Sequence, residues 1–141
     1  MLRREFLSRL CRLFLGGLAA AFGLRARAGD RTTFTLGFPS EYPPGTVRHL
    51  LFYDAFLISD EEGIYAVSSV CTHRGGPLFK TDADDAFVCR RHHSRFDLRG
   101  DVTRGPAYES LPWLKLELDR DGRIVLRRRY RGERGVKIPH T

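Results

Sequence analysis

The sequence predicts an all-β fold, an antiparallel β-barrel or sandwich base with one lobe inserted into it. Three observations carry that reading. Short stretches alternate apolar and polar residues with period two, as half-buried strands do. Turn residues, above all Pro, Gly and Asp, separate these stretches at short intervals. No stretch after residue 30 carries a convincing helical pattern.

Residues 32–38 alternate and form the first expected strand. Pro39, Pro43, Pro44 and Gly45 then mark a loop. Residues 50–59 are an apolar and aromatic run, and residues 64–69 are β-branched with alternation, so both read as strands. Asp60, Glu61, Glu62 and Gly63 between them read as a hairpin turn. Residues 114–118 alternate cleanly, Asp121-Gly122 is a strong hairpin signal, and residues 124–126 supply the returning strand. The base therefore covers about 30–68 and 108–130, with the lobe at about 69–107. Residues 29–141 are enough for one domain with a modest core, and no repeat, linker or second domain interrupts them.

The lobe carries the chemistry. Cys71 and His73 form one Cys-x-His pair, and after a gap of 15 residues Cys89 and His92 form a Cys-x-x-His pair. Each half supplies one thiolate and one imidazole. Two such loops suit a [2Fe–2S] cluster with two Cys on one iron and two His on the other, a substitution that raises the reduction potential. The competing reading is a single zinc ion. Structural zinc sites space their ligands C-x2-4-C and H-x3-5-H, whereas each half here mixes the two ligand types in a tight pair. On spacing alone both readings stand.

The flanking residues carry a family resemblance. Cys71-Thr72-His73-Arg74-Gly75-Gly76 resembles the first Rieske box, and Cys89-Arg90-Arg91-His92-His93-Ser94-Arg95-Phe96-Asp97 resembles the second. Gly105-Pro106-Ala107, with Leu111-Pro112, resembles the proline loop that covers the cluster in that family. The resemblance covers most of the chain after residue 30. It implies a Rieske-like β base with a cluster-binding lobe, one [2Fe–2S] cluster on Cys71, His73, Cys89 and His92, and a cluster-contacting hydroxyl on Ser94.

Departures from the family shape the expectations. High-potential relatives carry a further Cys in each box, joined as a disulfide; those positions are Gly76 and Arg91 here. The position of a second hydroxyl donor, a Tyr in those relatives, is Phe96. Fewer hydrogen bonds to sulfur lower the potential, so a value inside the Rieske span of about −150 to +300 mV but below its top is expected. The residue after the first His, apolar in quinol-oxidising relatives, is Arg74, and Arg90, Arg91, Arg95 and His93 add to an expected cationic rim. Such a rim suits an acidic protein partner or simply faces solvent. His93 adjoins His92, and the Cys-x-x-His register selects His92 as the ligand. Pro77, Leu78, Phe79 and Phe87 are expected to shield the cluster or fill the lobe, the run Asp82, Asp84 and Asp85 to be a solvated loop, and His49 and His140 to lie at the surface.

The N-terminus adds a second line of evidence. Arg3-Arg4 followed by Phe6 and Leu7 resembles a twin-arginine signal core. An apolar run over 13–24 follows, of signal-peptide size and short for a membrane span, and Ala26-Arg27-Ala28 offers an A-x-A cleavage site. Export of a folded protein, cluster already inserted, fits that route. The expected location is the periplasm, or a membrane surface facing it if residues 1–28 stay as an anchor. Cys11 would leave with the segment, and the two remaining Cys are both ligand candidates.

The whole chain is +7, but residues 1–28 hold six Arg and one Glu, so +7 less +5 leaves +2 for the rest. Residues 127–137 again contribute +5, a basic run that meets acidic lipid or a partner subunit, or faces water as a strand edge. No general basic face remains, and nucleic acid is not an expected partner. Nothing resembles a nucleophile–base set. The expected function is one-electron transfer between a protein donor and a protein acceptor, as the iron–sulfur subunit of a respiratory or periplasmic oxidoreductase, a molybdenum enzyme included. A quinol–cytochrome role of the bc type is the alternative, with Arg74 and the missing disulfide against it. A zinc-stabilised binding module is the remote one.

Overall fold

The computed structural model describes residues 32–140. Residues 1–28, expected from the sequence to be a signal segment, lie outside them, and Cys11 with them. Ten strands form two antiparallel sheets. The base sheet holds β1 (Thr33–Gly37), β2 (Val47–Leu50), β3 (Ala55–Asp60), β4 (Gly63–Ser68), β9 (Trp113–Leu118) and β10 (Ile124–Arg131), in the order β1-β10-β9-β4-β3-β2. The lobe sheet holds β5 (Leu78–Thr81), β6 (Ala86–Cys89), β7 (Arg95–Phe96) and β8 (Val102–Arg104) in sequential order. Among the described residues the only helical pieces are 3-10 turns at Pro39–Glu41 and Leu51–Tyr53, and no helix is long and apolar enough to cross a membrane.

The strands at the centre of the base are apolar on both faces, which is why their sequences run rather than alternate. Successive side chains point to opposite faces. Phe56, Ile58, Tyr65 and Val67 point into one cluster with Leu78, Phe87 and Phe96 of the lobe. Their neighbours Ala55, Leu57, Ile64 and Ala66 point into a second, with Ile124, Leu126 and Ile138. The lobe is thus seated on one face of the base. The Phe56 and Phe87 rings stack at 4.1 Å across that seam, a contact that contributes about 0.5–1.5 kcal/mol beyond its buried area.

The expected strand over 50–59 is broken. Leu51–Tyr53 turns out of the sheet and Asp54 takes a left-handed conformation at φ 49° before β3 begins at Ala55. The returning strand is longer than the apolar residues 124–126. It continues to Arg131, because Arg127 pairs with Thr33 on one side and Lys115 on the other.

A C-terminal segment clasps the β3–β4 hairpin. Ile64 and Ile138 exchange backbone hydrogen bonds at 2.8 Å in both directions. Gly63 (φ 141°) permits the approach, since a Cβ there would lie 2.5 Å from the Ile138 carbonyl. Lys137 is almost fully buried, donates to Asp60 and, at 2.7 Å, to Glu62, and lies 5.1 Å over the Tyr65 ring. Burial pushes the Tyr65 hydroxyl up to about 12, with the Asp60 charge adding to it. Burial opposes ionisation of Asp60 as well, yet the hydrogen bond from Lys137 and those from the backbone hold its carboxyl below the usual value. A depressed carboxylate stabilises above its unfolded pKa and loses that contribution as pH falls through the folded one. Asp60→Asn is therefore expected to lower the thermal midpoint at neutral pH. The two unfolding profiles should converge once pH drops well below about 4; a gap that persists unchanged at pH 2 would assign the effect to something other than this ion pair.

His49 and His140 are half-buried rather than surface residues. The His49 ring packs on Phe56 at 4.3 Å, where burial lowers its pKa against the pull of Asp54, and His140 Nε2 is bonded to the Asp60 carbonyl at 2.7 Å. Both partners lie in β3, too far along the chain for the sequence to pair them.

Candidate metal centre

Two loops of the lobe fold alike. In the first, the Cys71 N–H donates to the Gly76 carbonyl at 2.8 Å and the Gly75 N–H donates to the Cys71 carbonyl at 2.9 Å. In the second, the Cys89 N–H donates to the Ser94 carbonyl at 2.9 Å and the His93 N–H to the Cys89 carbonyl at 2.8 Å. Each loop thus closes on its own cysteine, four and five residues along. The fourth residue is left-handed in both, Gly75 at φ 66° and His93 at φ 62°. Glycine adopts that conformation freely; for His93 it costs roughly 1–3 kcal/mol. His93 is consequently turned outward and exposed.

These turns place four side chains in two pairs. Cys71 and Cys89 are buried and unbridged, 2 % and 1 % exposed. The His73 and His92 rings meet edge to face, 4.9 Å between centroids. His92 is exposed, and the His73 Nδ1 is buried with no hydrogen-bond partner. The second loop offered two histidines, and the one that meets His73 is His92.

The arrangement fits a cluster on three counts. An orphaned buried imidazole nitrogen costs about 1–3 kcal/mol unless something is bound to it. Burial pushes the Cys71 thiol up, and the neighbouring Cys89 adds to the effect, against the hydrogen bonds from His73 and Ser94. A thiol so placed resists ionisation until a cationic centre arrives, and a coordinating thiol is deprotonated outright. Desolvation by its neighbours comes first, and the adjacent His73 ring and the Arg74 and Arg91 guanidinium groups add to it, in lowering the His92 pKa, which favours the neutral ring that a metal needs. A dinuclear cluster asks only two protein ligands of each iron.

The proline loop is tied down by both cysteine loops. Ser94, fully buried, accepts a hydrogen bond from the Ala107 N–H at 3.0 Å and donates to the Cys71 sulfur. Thr72 Oγ1 donates to the Glu109 carbonyl at 2.6 Å. Thr72 carried no expectation from the sequence; only its place between two ligands hinted at a role. Gly76 and Arg91 do face each other: a Cβ on Gly76 would sit 3.4 Å from the Arg91 Cβ and 3.0 Å from the Cys89 sulfur. That separation is close to what a disulfide spans. In its place Arg91 donates to the Arg74 carbonyl at 3.3 Å, a polar tie between the two loops.

The cationic rim is smaller than the sequence suggested. Arg90 lies over the Phe79 ring at 4.2 Å and Arg95 pairs with Asp84, leaving Arg74 and Arg91 beside the histidines. The acidic run is not simply solvated either, because Lys80 pairs with Asp82 and Asp85 at 3.4 and 3.0 Å. Leu78 and Phe87 are fully buried in the cluster of side chains that also holds both cysteines, whereas Pro77 is exposed.

The family model for the Rieske [2Fe-2S] domain matches residues 32–115. The chain belongs to the Rieske family. As a Rieske domain it holds one [2Fe–2S] cluster. It is 32% identical over 93 residues to the cytochrome b6-f complex iron-sulfur subunit of Chlorobaculum thiosulfatiphilum, covering 64% of this chain and 51% of that protein. It is 29% identical over 116 residues to the corresponding subunit of Prochlorococcus marinus, covering 78% and 65%. In both, the match spans less than two thirds of the relative's own length. Among solved structures, a complex of reduced oxygenase and oxidized ferredoxin in carbazole 1,9a-dioxygenase superposes with a TM-score of 0.52 at 20% identity, over 74% of this Rieske chain and 100% of that one. A quaternary ammonium Rieske monooxygenase with gamma-butyrobetaine reaches 0.51 at 20% identity, over 69% and 32%. These two share the fold.

Proposed function

We propose that this Rieske chain is the iron–sulfur subunit of a quinol-oxidising complex of the cytochrome bc or b6-f kind. Cys71 and Cys89 would hold the buried iron, and His73 and His92 the outer one. The observation that carries the electron-transfer role is that the same two loops supply a pair of buried cysteines and a pair of edge-to-face imidazoles, one of them exposed. The cytochrome b6-f relatives support the quinol-oxidising context, which the sequence had ranked second.

The cluster, when bound, accepts and releases one electron. The chain's own residues set the terms. Leu78, Phe87 and Phe96 exclude water from the sulfur side. Exposed His92 gives the electron a short path to a docked partner. The Ser94 hydroxyl stabilises negative charge on sulfur, and its second bond, from Ala107, keeps it aimed.

A second reading, a small subunit of a periplasmic oxidoreductase docking an acidic protein, is favoured by Arg74 and Arg91 at the tip and by the absent disulfide. Mixing the oxidised protein with a soluble quinol and following the visible absorption separates the two. Bleaching by quinol supports the first; bleaching by dithionite alone transfers the chain to the second. The twin-arginine-like residues 3–7 support a periplasm-facing position for either. The mass of the purified chain tests this, with a start at Gly29 expected after export.

A further inference from the structure

Two exposed features sit side by side near the point where the described chain begins. The first is an apolar knob. Leu51 and Phe52 are 67 % and 91 % exposed at the 3-10 turn that breaks β2 from β3. The left-handed Asp54 that ends this turn, at φ 49°, is a strained conformation for a residue with a side chain, so the knob is held out at a cost. The second is a bulge in β10. Arg127 pairs with Lys115 of β9, but the next paired residue is Arg131, opposite Leu114. Arg128, Arg129 and Tyr130 therefore leave the ladder together, and all three are exposed. A regular strand would have turned every second one toward the sheet.

The two features are joined. Arg128 forms an ion pair with Asp54, and the surface grooves beside the knob and beside the bulge share Asp54 and Val70. Among the described residues Arg129 and Arg131 pair with no carboxylate. The patch thus combines two large apolar tips, one tyrosine and two uncompensated guanidinium groups. The Arg128 N–H also donates to the Thr32 carbonyl at 2.9 Å, so the chain enters the fold at this patch. Eight residue-to-residue steps separate Leu24, the end of the apolar run, from Thr32. Fully extended they reach about 28 Å.

We propose that this patch docks the folded domain on a bilayer surface carrying anionic lipid, with Leu51 and Phe52 entering the headgroup layer and Arg129 and Arg131 meeting lipid phosphates. Apolar tips beside cations and an interfacial tyrosine are the composition of a membrane-surface site. Arginine matches phosphate oxygens with a planar fork of donors. The N-terminal apolar run, wherever it is retained, keeps the patch within reach of the same surface.

The test uses the full-length, cluster-loaded chain. Native Trp113 is buried and is the chain's single tryptophan, so Phe52→Trp adds a reporter at the patch over a constant background. Its emission is expected to shift to the blue with vesicles of phosphatidylcholine and phosphatidylglycerol, to shift back in high salt, and to stay unmoved with phosphatidylcholine alone. Arg129→Ser with Arg131→Ser is expected to weaken partitioning onto the anionic vesicles about twenty-five-fold, at roughly fivefold per cation. An unchanged visible spectrum shows that the variant stays folded. Sedimentation with both kinds of vesicle and no emission shift would mean that the N-terminal segment alone holds the protein there, and would overturn the proposal. So would a shift that ignores the two arginines, or no shift with any vesicle, as a patch built for a protein subunit would give.

Discussion

Cys89→Ala is expected to give a colourless protein with no bound iron, while Cys11→Ala keeps its colour and two irons per chain. The contrast follows from where the sulfurs lie. Cys89 is 1 % exposed and points into the cluster of side chains shared by lobe and base, beside Cys71. Its backbone is independently fixed, by the bond to the Ser94 carbonyl and by its pairing with Leu78. Removing the sulfur therefore leaves the β5–β6 hairpin formed but takes away one of two thiolates on the inner iron. Metal binding free energy is also folding free energy, so the lobe should open at lower temperature than the base and the single unfolding transition should split. Iron analysis and calorimetry read both effects. Stoichiometric iron in Cys89→Ala would remove this residue from the ligand set. One zinc ion per wild-type chain and no iron would remove the cluster altogether.

Much of this was legible in the sequence, for a local reason. The four ligand candidates lie within a few residues of each other in two boxes, and a ligand pair that close leaves a pattern. The strands β1 and β9 were legible because alternation over five or six residues is enough to be seen, and β4 because it is an apolar, β-branched run buried on both faces. The lobe sheet was not, since strands of two to four residues carry no period. The break at Leu51–Tyr53 was hidden by the same apolarity that marks a buried strand; only the structure reveals that Leu51 and Phe52 point away from the core. The clasp by Lys137 was out of reach for another reason. Its partners Asp60 and Glu62 are 77 and 75 residues away, and a lone lysine near a chain end reads as solvated. The rim arginines were over-counted likewise, because the stacking of Arg90 on Phe79 and the pairing of Arg95 with Asp84 depend on the β5–β6–β7 register.

Ser94 and Phe96 should move the reduction potential in opposite directions. The Ser94 hydroxyl does two jobs, donating to the Cys71 sulfur and accepting from the Ala107 N–H at 3.0 Å. The reduced cluster carries one more negative charge than the oxidised one, so a hydrogen bond to its sulfur ligands strengthens on reduction and raises the potential. Ser94→Ala removes it. A differential interaction of about 1.4 kcal/mol corresponds to about 59 mV for one electron, and a fall of that order is expected. The same change orphans the buried Ala107 N–H, at a cost of roughly 1–3 kcal/mol, so stability falls too. Phe96→Tyr separates the two effects. Phe96 is fully buried in the same cluster of side chains as Cys71 and Cys89, and Ser94 is left untouched. A hydroxyl added there is expected to reach sulfur and raise the potential by a similar amount, with the proline loop still anchored. Potentiometric titration of both variants and of the pair decides the matter, because two independent hydrogen bonds to the same charge should nearly cancel in the double variant. A Phe96→Tyr potential equal to wild type, combined with a lower thermal midpoint, would mean that the hydroxyl is stranded in the core. The low count of sulfur hydrogen bonds would then reflect the shape of the lobe rather than the identity of residue 96.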